Sequence, residues 1–300
     1  MTVQEAIEEF ILAAGADGLS RATVKWYTSL LGKLTVQIKN PELTAITTSQ
    51  LRGYLIHLRK AGLSEESVHG HTRALHRFFK WCAAEYDVPN PMEHIKYPKQ
   101  LKSKLPKAVS IGDVIKLFEA CDESPLGKRD KAILAFLLDT GCRAAGLRGL
   151  TLDALDLERR RAIVLEKGNE LRTVFFNEDS AALLSAWLLE RNPTSEYVFH
   201  SERGGQLSAT GLRLVMNRLK AKAGVTGRVN PHSFRHGFAR EYILSGGDMG
   251  TLSRILGHKD IGTTQNHYAI FLTDELARLH ERFSPMNLIA AKSKGAEDES

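Results

Sequence analysis

Apolar positions recur at helical spacing through most of the first hundred residues. Between Ser64 and about Ala84, unrolling the chain at about 100° per residue puts Val68, Thr72, Leu75, Phe79 and Cys82 on one narrow stripe, which predicts a core-facing helix face. Ser20 suits the N-cap of an earlier helix reaching about Val36, and Thr47, Thr48 or Ser49 suits the cap of another reaching Leu58. Asn90-Pro91 ends the pattern. The first 95 residues therefore read as a helical domain.

From Lys96 to Lys107 the character changes. Five lysines, Lys96, Lys99, Lys102, Lys104 and Lys107, occur without an acidic residue between Pro98 and Pro106 and their flanks, as expected of an extended basic linker. From 108 to 300 the pattern is mixed. Ser110 caps a helix to Ala120, with Asp113 in the capping-box position. A second helix spans Arg129 to Asp139, with Ile133, Phe136 and Leu137 at helical spacing. Ala162 to Glu166 and Leu171 to Phe176 read as strands flanking Lys-Gly-Asn-Glu, a hairpin signal. Helical segments account for the rest, including a run from Met249 to Leu256. The expected second domain is mainly α, of the α+β class, with a small antiparallel sheet.

Composition narrows the partners. A net charge of +6 in a chain that is 43% hydrophobic and 25% charged suits a soluble globular protein with an acidic polymer as partner. The longest apolar run, Ala132 to Leu138, is too short to span a bilayer, and the acidic N-terminus lacks the basic region of a signal peptide. Three widely separated cysteines, Cys82, Cys121 and Cys142, suggest a reduced, cytoplasmic setting. On the 64–84 helix, His69, Arg73, Arg77 and Lys80 lie opposite the apolar stripe, and Arg21, Thr23, Lys25 and Lys33 offer a similar surface on the earlier helix. A solvated face is one reading of these cations. The other is a clamp on duplex DNA, with Lys99, Lys102 and Lys104 of the linker on the phosphate backbone.

Candidate chemistry lies in the last 160 positions. Arg143 follows Thr140-Gly141-Cys142, with only Asp139 nearby as an acidic partner, and a guanidinium without an internal partner suits an external phosphate. Lys167 stands in the hairpin turn. His232 and Arg235 share a helical face after Pro231. His232 and His236 have the spacing of a zinc helix, but no third ligand is apparent, so no metal is expected. His258 follows Leu256-Gly257, and Tyr268 comes ten residues later. No P-loop, Ser-x-x-Lys or Gly-x-Ser-x-Gly element occurs.

The order Thr-Gly-x-Arg, Lys-Gly-Asn, His-x-x-Arg-His, Leu-Gly-His and a late tyrosine resembles the tyrosine recombinase (phage integrase) family. Leu19-Ser20-Arg21-Ala22-Thr23, Tyr27, Phe78-Phe79 and Asn90-Pro91 resemble its SAM-like core-binding domain, at the size of the two-domain Xer-type members. The resemblance implies a site-specific DNA recombinase in which Tyr268 attacks the scissile phosphate to leave a 3′-phosphotyrosine. Arg143 and Arg235 would hold the non-bridging oxygens, Lys167 would protonate the leaving 5′-oxygen, His232 would serve the tyrosine as base or acid, and His258 would hydrogen-bond the phosphate. It implies a Holliday junction, a tetramer on paired double-stranded sites, and no cofactor, metal or ATP. It leaves open the need for an accessory protein or a second recombinase.

Two departures stand out. Gly146 occupies the place where the family often has glutamate, so that support comes from elsewhere or is absent. The ten-residue interval from His258 to Tyr268 is one longer than Xer-type members typically show and leans towards a mobile-element enzyme. Two rivals share the pattern: a type IB topoisomerase-like relaxase, and a catalytically silent DNA-binding protein of the same fold. After Tyr268 a helix is expected from about Thr273 to Arg282, and the apolar stretch from Met286 to Ala291, too small to fold alone, must pack on its own domain or on a neighbour; the resemblance implies the adjacent protomer.

Overall fold

A computed structural model describes residues 1–98, 108–166, 170–201, 203–257, 262, 280–282, 284 and 286. The linker lysines Lys99, Lys102 and Lys104, the candidates Lys167, His258 and Tyr268, and most of the expected C-terminal helix and tail lie outside the described residues. The chain divides into two compact units, Met1–Lys102 and Ser103–Ser300.

Four helices form the first unit: α1 (Val3–Ala16), α2 (Arg21–Ile38), α3 (Thr48–Lys60) and α4 (Glu65–Tyr86). Each starts on a side-chain cap. Ser20 and Ser64 cap α2 and α4, while Thr2 with Glu5 and Thr47 with Gln50 close full capping boxes on α1 and α3. The Thr47 box settles which of three adjacent hydroxyls starts α3. The stripe predicted for α4 is buried throughout, and His71, Ala74 and Phe78 widen it. Phe10 of α1 meets Tyr27, Phe78 and Trp81 at ring-centroid distances of 5.2–5.6 Å, fastening α1 to α2 and α4.

The second unit runs α5 (Ile111–Glu119), α6 (Pro125–Thr140), α7 (Ala144–Arg148), β1 (Leu155–Asp156), β2 (Arg161–Glu166), β3 (Glu170–Phe175), α8 (Glu178–Glu190), α9 (Ala209–Lys222), α10 (Pro231–Leu244) and α11 (Met249–Leu256). Helix α6 is its axis, packing against α5, α7, α8, α10 and β3, and Ala132, Ile133, Leu134, Phe136 and Leu137 are buried. It begins at Pro125 rather than at Arg129, because Ser124 caps it and Pro125 takes the first helical position. The three strands pair antiparallel in the order β1-β2-β3. Alternation along β2 buries Ala162, Val164 and Glu166 and exposes Ile163 and Leu165. Val164 stands opposite Arg172, so Arg172 shares the inward face with Glu166. This is the fold class expected: a helical N-terminal unit and a mainly α unit with a small antiparallel sheet.

Candidate active site

Arg143 lies just beyond the end of α6. It is the N-cap residue of α7, two positions beyond Gly141, whose left-handed φ of 56° stops α6. A Cβ at Gly141 would lie 2.8 Å from Phe238, so this turn requires glycine on both counts. The expectation that Arg143 has no internal partner beyond Asp139 is incorrect. Asp139 accepts the Asn177 N–H at 2.7 Å, while Arg143 pairs with Glu166, accepting partner of both its Nη1 and, at 3.0 Å, its backbone N–H. The partner escaped a search of neighbouring sequence because strand pairing, not proximity along the chain, delivers it.

Arg235 lies on α10, which Asn230 and Ser233 start with a capping box and Pro231 at the first position. Its guanidinium is buried, with 3% of the side chain exposed. Nη1 donates to the Gly141 carbonyl at 2.8 Å and Nη2 to the Leu256 carbonyl at 2.6 Å. These carbonyls close the C-terminal ends of α6 and α11, where helix dipoles favour a cation. His232, three residues earlier, is exposed and stacks on His236 at 5.4 Å between ring centroids. The shared face expected for His232 and Arg235 is thus a shared edge: about 60° around the helix separates a solvent-facing from a core-facing position.

Glu166 and Arg172 were not singled out from sequence. Arg172 Nη2 donates to Glu166 Oε1 at 2.7 Å and its Nη1 to the Ile255 carbonyl, and Arg235 Nη1 stands 4.0 Å from the same Glu166 oxygen. Three guanidiniums therefore face one buried carboxylate. Burial pushes the Glu166 carboxyl upward, but hydrogen bonds and charge from Arg172 and Arg143 outweigh it and hold the group below the usual range, so it is ionised at neutral pH. The available signal was parity: a charged residue in step with Ala162 and Val164 faces the core.

In the first unit, Arg21, Lys25, Arg73, Arg77 and Lys80 are exposed. Arg73 lies over the Trp26 ring at 4.8 Å, a cation–π contact that joins the exposed sides of α2 and α4. Thr23 is half-buried, with its hydroxyl 2.9 Å from the Ser20 cap, and His69 packs beside Tyr97 at 5.4 Å.

The Phage integrase family model matches residues 110–273, and the model for its N-terminal SAM-like domain matches residues 7–86. The chain belongs to the phage integrase family. It is a tyrosine-type site-specific recombinase, similar to Tyrosine recombinase XerC of Xylella fastidiosa (strain M23), at 30% identity over 83% of this chain and 86% of the relative. Tyrosine recombinase XerD of Bifidobacterium longum (strain NCC 2705) is also 30% identical, over 86% of this chain and 90% of its own length. The recombinase shares its fold with the Tn1549 transposon integrase solved with a circular-intermediate DNA, with a TM-score of 0.77, 19% identity and coverage of 95% and 100% of the two chains. The XerA recombinase superposes with a TM-score of 0.53 at 24% identity, covering 94% and 99%.

Proposed function

We propose that the recombinase cuts and rejoins duplex DNA at a specific site through a 3′-phosphotyrosine intermediate, and that four protomers on paired sites pass through a Holliday junction. Oη of Tyr268 attacks phosphorus, the bond from phosphorus to the 5′-oxygen breaks, the tyrosine proton passes to His232, and the leaving oxygen takes a proton from Lys167. Tyrosine has a free pKa of about 10, so attack at neutral pH needs an acceptor and nearby positive charge. Arg143 and Arg235 supply that charge on the non-bridging oxygens, with His258 as a further donor. Two guanidiniums give the charge stabilisation that divalent metals give elsewhere, and the phosphotyrosine bond stores the energy of the broken one, so rejoining needs no ATP.

One observation carries this reading: Arg143 and Arg235, far apart in sequence, stand at the same buried carboxylate where the ends of α6, α7 and α11 meet. The exposed cations of α2 and α4, followed by the basic linker, supply the duplex-binding surface. The test begins with selection of the binding site from a random duplex library. Paired copies of that site should then give four-way junctions and exchanged products. Relaxation of supercoils without exchange would favour a type IB topoisomerase-like activity, and binding without any covalent adduct would favour a silent DNA-binding protein.

A further inference from the structure

Glu166 is 4% exposed, yet it carries a full charge into the second unit. Its two oxygens divide their partners. Oε2 takes the Arg143 guanidinium, and Oε1 takes the Arg143 backbone N–H and Arg172 Nη2. Arg172 reaches on to the Ile255 carbonyl near the end of α11, passing Gly257, where a Cβ would lie 2.7 Å from Arg172 Cδ. One carboxylate thus ties β2, β3, the start of α7 and the end of α11.

Like-charged guanidiniums gathered on one carboxylate repel, and a largely buried setting screens them little. A carboxylate among them offsets part of the repulsion and anchors Arg143 through Nη1 and Arg172 through Nη2. Bound at both its side chain and its backbone, Arg143 has little freedom left. Helix α7 leaves room for this arrangement at Gly146, where a Cβ would stand 3.1 Å from Val164 Cβ and 3.7 Å from Glu166 Cγ. A longer side chain at 146 would push β2 away, so the strand rather than the helix supplies the carboxylate.

We infer that Glu166 is a positioning residue for the cleavage reaction: braced by Arg172, it holds Arg143 in the geometry that grips the scissile phosphate. This rests on the reading of Arg143 as a phosphate ligand. Because removing Glu166 deletes a negative charge near bound DNA, its loss slows cleavage while leaving affinity equal or tighter.

The experiment uses the full chain and a nicked suicide duplex bearing the selected site. Single-turnover cleavage and duplex Kd at fixed salt are compared for wild type, Glu166→Gln, Glu166→Asp, Glu166→Gly and Arg143→Lys. Glu166→Gln should cleave more slowly by on the order of 10²-fold, the usual scale for misplacing a reacting group by about an ångström, with Kd unchanged or lower. Formate should accelerate Glu166→Gly, and chloride at equal ionic strength should not. Wild-type cleavage by Glu166→Gln beside a crippled Arg143→Lys would overturn the positioning role alone. Wild-type cleavage by Arg143→Lys would overturn the phosphate reading beneath it. Parallel losses of rate, affinity and melting temperature would make Glu166 merely structural. Should Glu166→Gln fail to fold, Glu166→Asp decides: slower cleavage at unchanged Kd supports the role, and the wild-type rate overturns it.

Discussion

Arg143 and Arg235 differ in what holds them. Arg143 is one-third exposed and tied to a carboxylate, whereas Arg235 is buried and braces two helix ends through backbone carbonyls. Lysine cannot reproduce either fork. Arg143→Lys should lose cleavage by at least ~10²-fold with little change in melting temperature. Arg235→Lys should lose cleavage by a similar factor and also melt earlier, because an ammonium cannot satisfy both carbonyls in their original directions. Near-normal cleavage by either variant in the suicide-substrate assay would contradict the clamp. Lys167→Ala should recover on a substrate whose bridging 5′-oxygen is replaced by sulfur, since a thiolate leaves without a proton. Equal slowness on both substrates would assign Lys167 another task. The two arginines stood out in the sequence because each sits in a short local pattern. Glu166 and Arg172 were not, because their meaning arises from strand parity and register, which become decisive only once the inward face is known.

Among the elements, α4 was the most legible: a long, regular apolar stripe leaves one choice of buried face. Helix α1 was not read, although Thr2 and Glu5 carry a capping box, and α7 was missed because five residues show no periodicity. Helix α4 also makes the clearest element-level prediction. If Arg73, Arg77 and Lys80 contact phosphates, each change to glutamine should lower the slope of log affinity against log salt by about 0.9. Unchanged slopes would mark that face as merely solvated. Trp26→Ala should weaken duplex binding with the helical circular dichroism retained, because Arg73 loses the ring that orients it.

For the molecule as a whole, the two-part organisation followed from the break at Asn90-Pro91 and the charge of the linker, and each unit has its own core. All three cysteines are free and buried. Burial raises Cys82 to about 12 and Cys121 and Cys142 to about 11, so the reactive thiolate is scarce at neutral pH. A thiol reagent at pH 7.5 should therefore label none rapidly in the native protein and all three after denaturation; fast native labelling would show a core that opens. Truncation after Ser284 should leave single-site binding intact while impairing recombination and assembly of the four-protomer complex, if the apolar tail docks on a neighbour. Gel shifts and recombination assays would check this, and full recombination with normal synapsis would sink it. The central claim is that the chain becomes covalently joined to DNA through Tyr268. Its most direct measurement is mass spectrometry of the peptide recovered from wild-type protein trapped on the nicked suicide duplex. The account predicts a 3′-phosphonucleotide on Tyr268 and no adduct from Tyr268→Phe, which should still bind the duplex. An adduct persisting in Tyr268→Phe, or mapped to another residue such as Tyr242, would contradict it.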